Sequence, residues 1–82
     1  MRARIFVTPR QGILDPQGRA VEHALKTLGF DGVSGVKVGR YIVLDVDDSL
    51  SPEDARVAVT RMCDRLLANP LIEDYRLEVD SE

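Results

Sequence analysis

Val33-Ser34-Gly35-Val36-Lys37-Val38-Gly39-Arg40-Tyr41-Ile42-Val43-Leu44-Asp45-Val46-Asp47 is the passage whose reading decides the fold. Tyr41 to Asp47 alternates cleanly: Ile42, Leu44 and Val46 fall on one side, Tyr41, Val43 and Asp45 on the other, which is the period of a strand. Val33 to Val38 is a weaker run of the same kind. Between them Gly39-Arg40 predicts a two-residue turn, with glycine taking the positive φ that tight hairpins require. The passage therefore reads as a central hairpin.

Working outward, each arm of that hairpin continues through a helix to a further strand. Upstream, Leu28 and the stripe Val21, Ala24, Leu25 share one face of a helix. Asp15 is placed to cap it and Pro16 to open it, and Gly29 supplies a left-handed stop. Gly18 in the first turn costs ~1 kcal/mol relative to alanine, so it points to a close approach by another piece of backbone. Before this helix, Ala3 to Thr8 reads as a strand with Ile5 and Val7 on one side and Phe6 on the other, ended by Pro9. Downstream, Ser51-Pro52-Glu53-Asp54 starts a second helix with a cap, a proline and two acids at its positive end. Its stripe is Ala55, Val59, Met62, Cys63 and Leu66. Asn69-Pro70 is expected to stop it, asparagine taking the left-handed conformation. Glu73 to Val79 is the last strand, with Tyr75, Leu77 and Val79 on one face.

The order β-α-β-β-α-β predicts an α+β, ferredoxin-like two-layer sandwich: an antiparallel sheet with two helices on one face. Its 82 residues make one domain, 1–82, that buries only ~60–65% of the surface its unfolded chain exposes. Self-association or a partner would help it. On this topology Phe6, Tyr41 and Val43 point away from the helices. They form the expected self-association face, since a cluster of exposed large side chains is unusual on a monomer.

Composition narrows the function classes. The formal net charge is −3, whereas proteins that grip phosphate backbones usually carry a basic surplus, so nucleic acid is not expected. No run approaches the ~20 apolar residues of a membrane span, and residues 1–10 lack a secretory h-region. One cysteine excludes an internal disulfide. The chain is read as cytoplasmic.

No pattern of catalytic chemistry emerges. His23 lies beside the apolar stripe of the first helix with no partner at helical spacing, and reads as a surface residue. Cys63 lies on the stripe of the second helix and reads as a small buried hydrophobe. Asp45, Asp47 and Asp48 are the only acidic cluster with a cation-binding look, and such a run is commonly a solvated connection. Glu73 and Asp74 are adjacent on a strand and so face opposite ways. Neither a dinucleotide fingerprint nor a P-loop is present. No catalytic, cofactor or metal residues are assigned. What remains is two loops, Pro9 to Gly18 and Ala68 to Tyr75. Both mix turn formers with apolar residues: Ile13 and Leu14 in one, Leu71 and Ile72 in the other. These either tuck into the chain's own core or dock elsewhere.

The same segments resemble the PurS family, the small subunit of phosphoribosylformylglycinamidine (FGAM) synthase. The matching pieces are Leu14-Asp15-Pro16-Gln17-Gly18, Ala20-Val21, Ala24-Leu25, Val38-Gly39-Arg40-Tyr41, Met62-Cys63 and Leu66 through Tyr75. Arg10 and Arg40 stand where the family commonly has lysine. The charge is kept, but not the geometry. The resemblance implies a non-catalytic subunit in ATP- and glutamine-dependent conversion of formylglycinamide ribonucleotide to the amidine. It implies two partners: PurQ, a glutaminase that releases ammonia, and PurL, a synthetase that holds ATP with Mg. The small subunit would join them, assist ammonia transfer and associate with itself as a dimer or tetramer. It would hold no cofactor of its own. Partner contacts are expected at Arg10, Gln11, Asp15, Gln17, Arg40, Asn69, Glu73 and Asp74. Two rivals share the topology. An ACT-like module would bind a small molecule near the first loop. An acylphosphatase would need an arginine-bearing phosphate loop after the first strand, which Pro9 and Asp15-Pro16 do not resemble.

Overall fold

Strand β1 (Arg2–Pro9) is the centre of everything that packs. In the computed structural model, which describes residues 1–80, it lies between two antiparallel neighbours, β2 (Arg40–Asp45) and β3 (Glu73–Asp80), in the order β2-β1-β3. The register pairs Ile5 with Ile42 on one side and with Leu77 on the other. Ala3, Ile5 and Val7 thus sit in one row with Leu44, Val79 and Tyr75, on the face that becomes the core.

Helix α2 (Pro52–Met62) covers that face. The Ser51 side chain accepts from the Asp54 N–H at 3.1 Å, satisfying one of the free donors at the helix start. Ala55, Val59 and Cys63 are fully buried, and Val59 and Cys63 pack with the β1 row. The α-helix then widens into a π-helical turn, Cys63–Leu67, in which the Ala68 N–H reaches back to the Cys63 carbonyl at 3.0 Å. The wider turn breaks the stripe. Ala68 reaches the core, whereas Met62 is 41% and Leu66 83% exposed.

Helix α1 (Pro16–Thr27) behaves differently. It makes only marginal contact with the sheet, and its one buried residue is Gly18. The described chain is elongated, 51 × 27 × 14 Å, with a radius of gyration of 16.1 Å. A compact domain of this length has a radius of about 12 Å.

The α+β, ferredoxin-like antiparallel class stands, with three corrections inside it. Residues 33–39 do not form a strand, and the Gly39-Arg40 hairpin is absent. The reason lies outside the segment: the Val36 and Val38 N–H groups are taken by the carboxylates of Glu22 in the first helix and of Asp15, its cap, at 3.3 and 2.9 Å, so they are not free for a ladder. Gly39 does not have a positive φ. It is glycine because a Cβ there would collide with the Val7 carbonyl of β1. Asn69 is not left-handed either. Its Oδ1 accepts from the Leu71 N–H at 3.1 Å, and the π-helical turn ends the helix before it. Gly29, with φ 99°, is the left-handed stop expected. Gly18 does meet close backbone, since a Cβ there would strike the Val36 carbonyl and the Asp15 carboxylate.

Candidate interaction site

The two loops singled out in the sequence meet at one end of the sheet. The Arg10 N–H donates to the Ile72 carbonyl at 2.8 Å, which lays the loop after β1 beside the turn before β3. The Arg10 side chain strengthens the seam. Its Nε lies 3.3 Å from the Glu73 carbonyl and 3.5 Å from the Asp74 carboxylate.

A second arginine ties the same end from the other strand. Arg40 opens β2 rather than standing at a hairpin tip. Its Nη2 donates to the Leu67 carbonyl at 2.8 Å and to Glu73 Oε1 at 3.0 Å. Glu73 Oε1 also accepts from the Asn69 N–H at 2.8 Å. The Asn69 N–H, and after it the Arg40 guanidinium, hold the Glu73 carboxyl below its ordinary range. One half-buried carboxylate thus joins the start of β2, the end of the π-helical turn and the start of β3. Five expected contact residues, Arg10, Arg40, Asn69, Glu73 and Asp74, lie in this single knot. It shapes the loops, and most of its polar groups already have partners inside the chain.

Asp15 does a similar task on α1. Its Oδ1 accepts from the Gly18 N–H at 3.1 Å and its Oδ2 from the Val38 N–H at 2.9 Å. These bonds, that to Val38 foremost, hold its carboxyl below the usual value. Gln11 and Gln17 are exposed. The apolar residues of the loops are not tucked away. Ile13 is 38%, Leu14 69%, Leu71 83% and Ile72 43% exposed. With Leu66 they give the knotted end a greasy rim that sequence reasoning left open. The π-helical turn that presents Leu66 has no sequence signal of its own.

The open face of the sheet is mostly charged. Arg2 pairs with Asp45 at 3.6 Å, Arg4 with Asp80, and Arg76 with Glu78 at 3.7 Å. Phe6 and Tyr41 stack within this ladder, ring centroids 4.9 Å apart, under the Arg76 guanidinium at 4.5 Å from the Phe6 ring. Phe6, Tyr41 and Val43 do point away from the helix, as an apolar island in a ladder of ion pairs.

Elsewhere the chemistry is quiet. Cys63 is buried, and burial, with the Asp64 carboxylate beside it, pushes its thiol up. His23 is exposed on α1. Asp47 accepts from the Ser49 N–H at 3.0 Å, which makes its segment an ordinary turn. Among the described residues no three acidic, histidine or cysteine side chains converge where a cation could be held. No helix among them is long and apolar enough to cross a membrane.

A small α+β protein with two loops knotted at one sheet end, and with apolar residues displayed there, belongs to the class of interaction modules. Comparison with known proteins makes this particular. Residues 2–81 match the family model of PurS, described as phosphoribosylformylglycinamidine (FGAM) synthase. The chain belongs to the PurS family. It is 42% identical over 79 residues to the phosphoribosylformylglycinamidine synthase subunit PurS of Bacillus subtilis, covering 96% of this chain and 92% of that one. The crystal structure of the B. subtilis PurS superposes with a TM-score of 0.84 at 41% identity, covering 98% of both chains. A chain in the structure of PurLQS from Thermotoga maritima superposes with a TM-score of 0.83 at 30% identity, covering 94% of this chain and 93% of that one.

Proposed function

We propose that this chain is the PurS subunit of a phosphoribosylformylglycinamidine synthase and that it joins a PurQ glutaminase to a PurL synthetase in the cytoplasm. One observation carries the reading: the two loops that hold the family's residues are drawn together by Arg10 and Glu73, with Leu14 and Leu71 left facing outward. A catalyst would spend such a site on groups aimed at a reactant. Here the polar groups face one another and the apolar ones face solvent, which suits a docking surface. The PurLQS neighbour supports the same partners.

In this role the chain contributes no reacting group. ATP and Mg belong to the synthetase, and the small subunit helps ammonia pass by closing the interface through which it moves, since ammonia exposed to water is protonated and lost. The chain also associates with itself. Two of its surfaces ask for cover: the stripe of α1, where Val21 is 41% and Leu28 72% exposed, and the island of Phe6, Tyr41 and Val43.

The test is reconstitution with PurL and PurQ from the same organism. Glutamine-dependent synthesis of the amidine should require this chain, and ammonia-dependent synthesis by PurL should require it much less. Equal glutamine-dependent rates with and without the chain would remove the proposal.

A further inference from the structure

Beside the knotted loops runs an open groove of about 570 Å³. Its floor is the Pro9–Asp15 loop, one wall is the start of α1 with Arg19 and Glu22, and the other is Gly35–Lys37. Its walls are fixed. Gly18 lets the Val36 backbone close against α1, and the Val36 and Val38 N–H groups are held by Glu22 and Asp15.

The charges of the groove are unequally engaged. Asp15 spends both oxygens on backbone N–H groups. Glu22 accepts from the Val36 N–H and pairs at 3.4 Å with Lys26, which does not line the groove. Arg10 turns to Asp74 and the Glu73 carbonyl. The side chains of Arg19 and Lys37 make no hydrogen bond or ion pair among the described residues. Lys37 acts on Asp15 only through its field. In a chain of net charge −3, the groove thus offers two unspent cations, with exposed Ile13 and Leu14 beside them.

We propose that this groove docks an acidic segment of a partner subunit, pairing Asp or Glu side chains with Arg19 and Lys37 and laying apolar side chains on Ile13 and Leu14. The proposal rests on the bridging role above and names where one partner is held. The cations stand on separate walls with apolar residues alongside, a lining that fits an extended amphipathic stretch better than a compact anion.

The experiment measures assembly of the full chain with PurL and PurQ, for the wild type, Arg19→Glu/Lys37→Glu and the milder Arg19→Gln/Lys37→Gln. Charge reversal should weaken assembly by about tenfold or more and neutralisation by a few-fold. Wild-type assembly should also weaken with added salt. The mass of the isolated chain in solution should be the same for all three. If the reversed pair does not fold, the glutamine pair carries the test. Assembly of the variants at wild-type affinity overturns the groove and leaves the bridging role standing. Failure of the wild type to assemble overturns both. A drop in the isolated chain's mass would assign the groove to a second copy. A rise in melting temperature with inorganic phosphate in the wild type only would make it a small-anion site. Either result overturns the proposal.

Discussion

Helices α1 and α2 both begin at a proline behind a capping side chain, and both gather apolar residues on one side. Only α2 has a surface beneath it. Val59 and, just past the helix, Cys63 vanish into the core against the sheet, while Val21 of α1 and Leu28 at its end stay in solvent, and the helix is tied to its own chain mainly through the Glu22 and Asp15 carboxylates, which accept from the Val36 and Val38 N–H groups. An apolar stripe does not by itself mean that the same chain covers the helix. On the sheet side the complement is visible: Ile42, Leu44 and Val46 pack at the margin of the core and remain half-buried. The α2 half of the molecule holds the buried core, and the α1 half leaves its apolar stripe exposed.

That contrast is broken most forcefully from the core. Ile5 is fully buried between Ile42 and Leu77, so Ile5→Ala should cost about 2–5 kcal/mol through lost burial and an unfilled cavity. Urea unfolding of the variant beside the wild type measures it. A loss near zero would mean that the β1 row is not the centre of stability.

The seam between α1 and residues 33–38 is next. Gly18→Ala pushes a methyl group into the Val36 carbonyl and the Asp15 carboxylate, and should destabilise by about 1–3 kcal/mol, against a helix-propensity gain of ~1 kcal/mol. Gly32→Ala is the control. Nothing lies within 4 Å of a Cβ there and its φ is not positive, so its stability should stay within about 0.5 kcal/mol. Hydrogen exchange at the Val36 and Val38 amides should quicken in the first variant and not in the second.

The same contrast explains what the sequence could and could not show. Strands β1, β2 and β3 and both helix starts were legible because alternation, capping and proline are local signals. Ile5, Val7, Ile42, Leu44 and Val59 were placed on the correct sides for that reason. The strand expected at 33–38 was misread because its donors are consumed by Asp15 and Glu22, residues 14 or more positions away, and no pattern inside the segment announces this. The two loops were legible as unusual, and their residues as a family signature. Their meeting through Arg10 and Glu73 was not, because it is a product of the β1–β3 register. Arg40 was expected in a two-residue turn; instead it opens β2, and Glu73, 33 residues on, accepts from its guanidinium.

The smallest change in folding stability should come from α1, and it sharpens the comparison most. Leu28 is 72% exposed, so Leu28→Ala removes almost no buried surface from a single chain and should shift its stability by less than about 0.5 kcal/mol in dilute solution. If the stripe exists for a second copy, the wild type behaves otherwise as concentration rises, because binding to the folded state adds stability by mass action. The wild-type melting temperature should climb with protein concentration, and the Leu28→Ala curve should stay flatter and meet it only at the dilute end. Sedimentation over the same range should show the variant lighter. Parallel curves for the two proteins would show that α1 leaves its stripe bare in the self-associated state as well, and would move the self-association surface to Phe6, Tyr41 and Val43 on the opposite side of the sheet from α2.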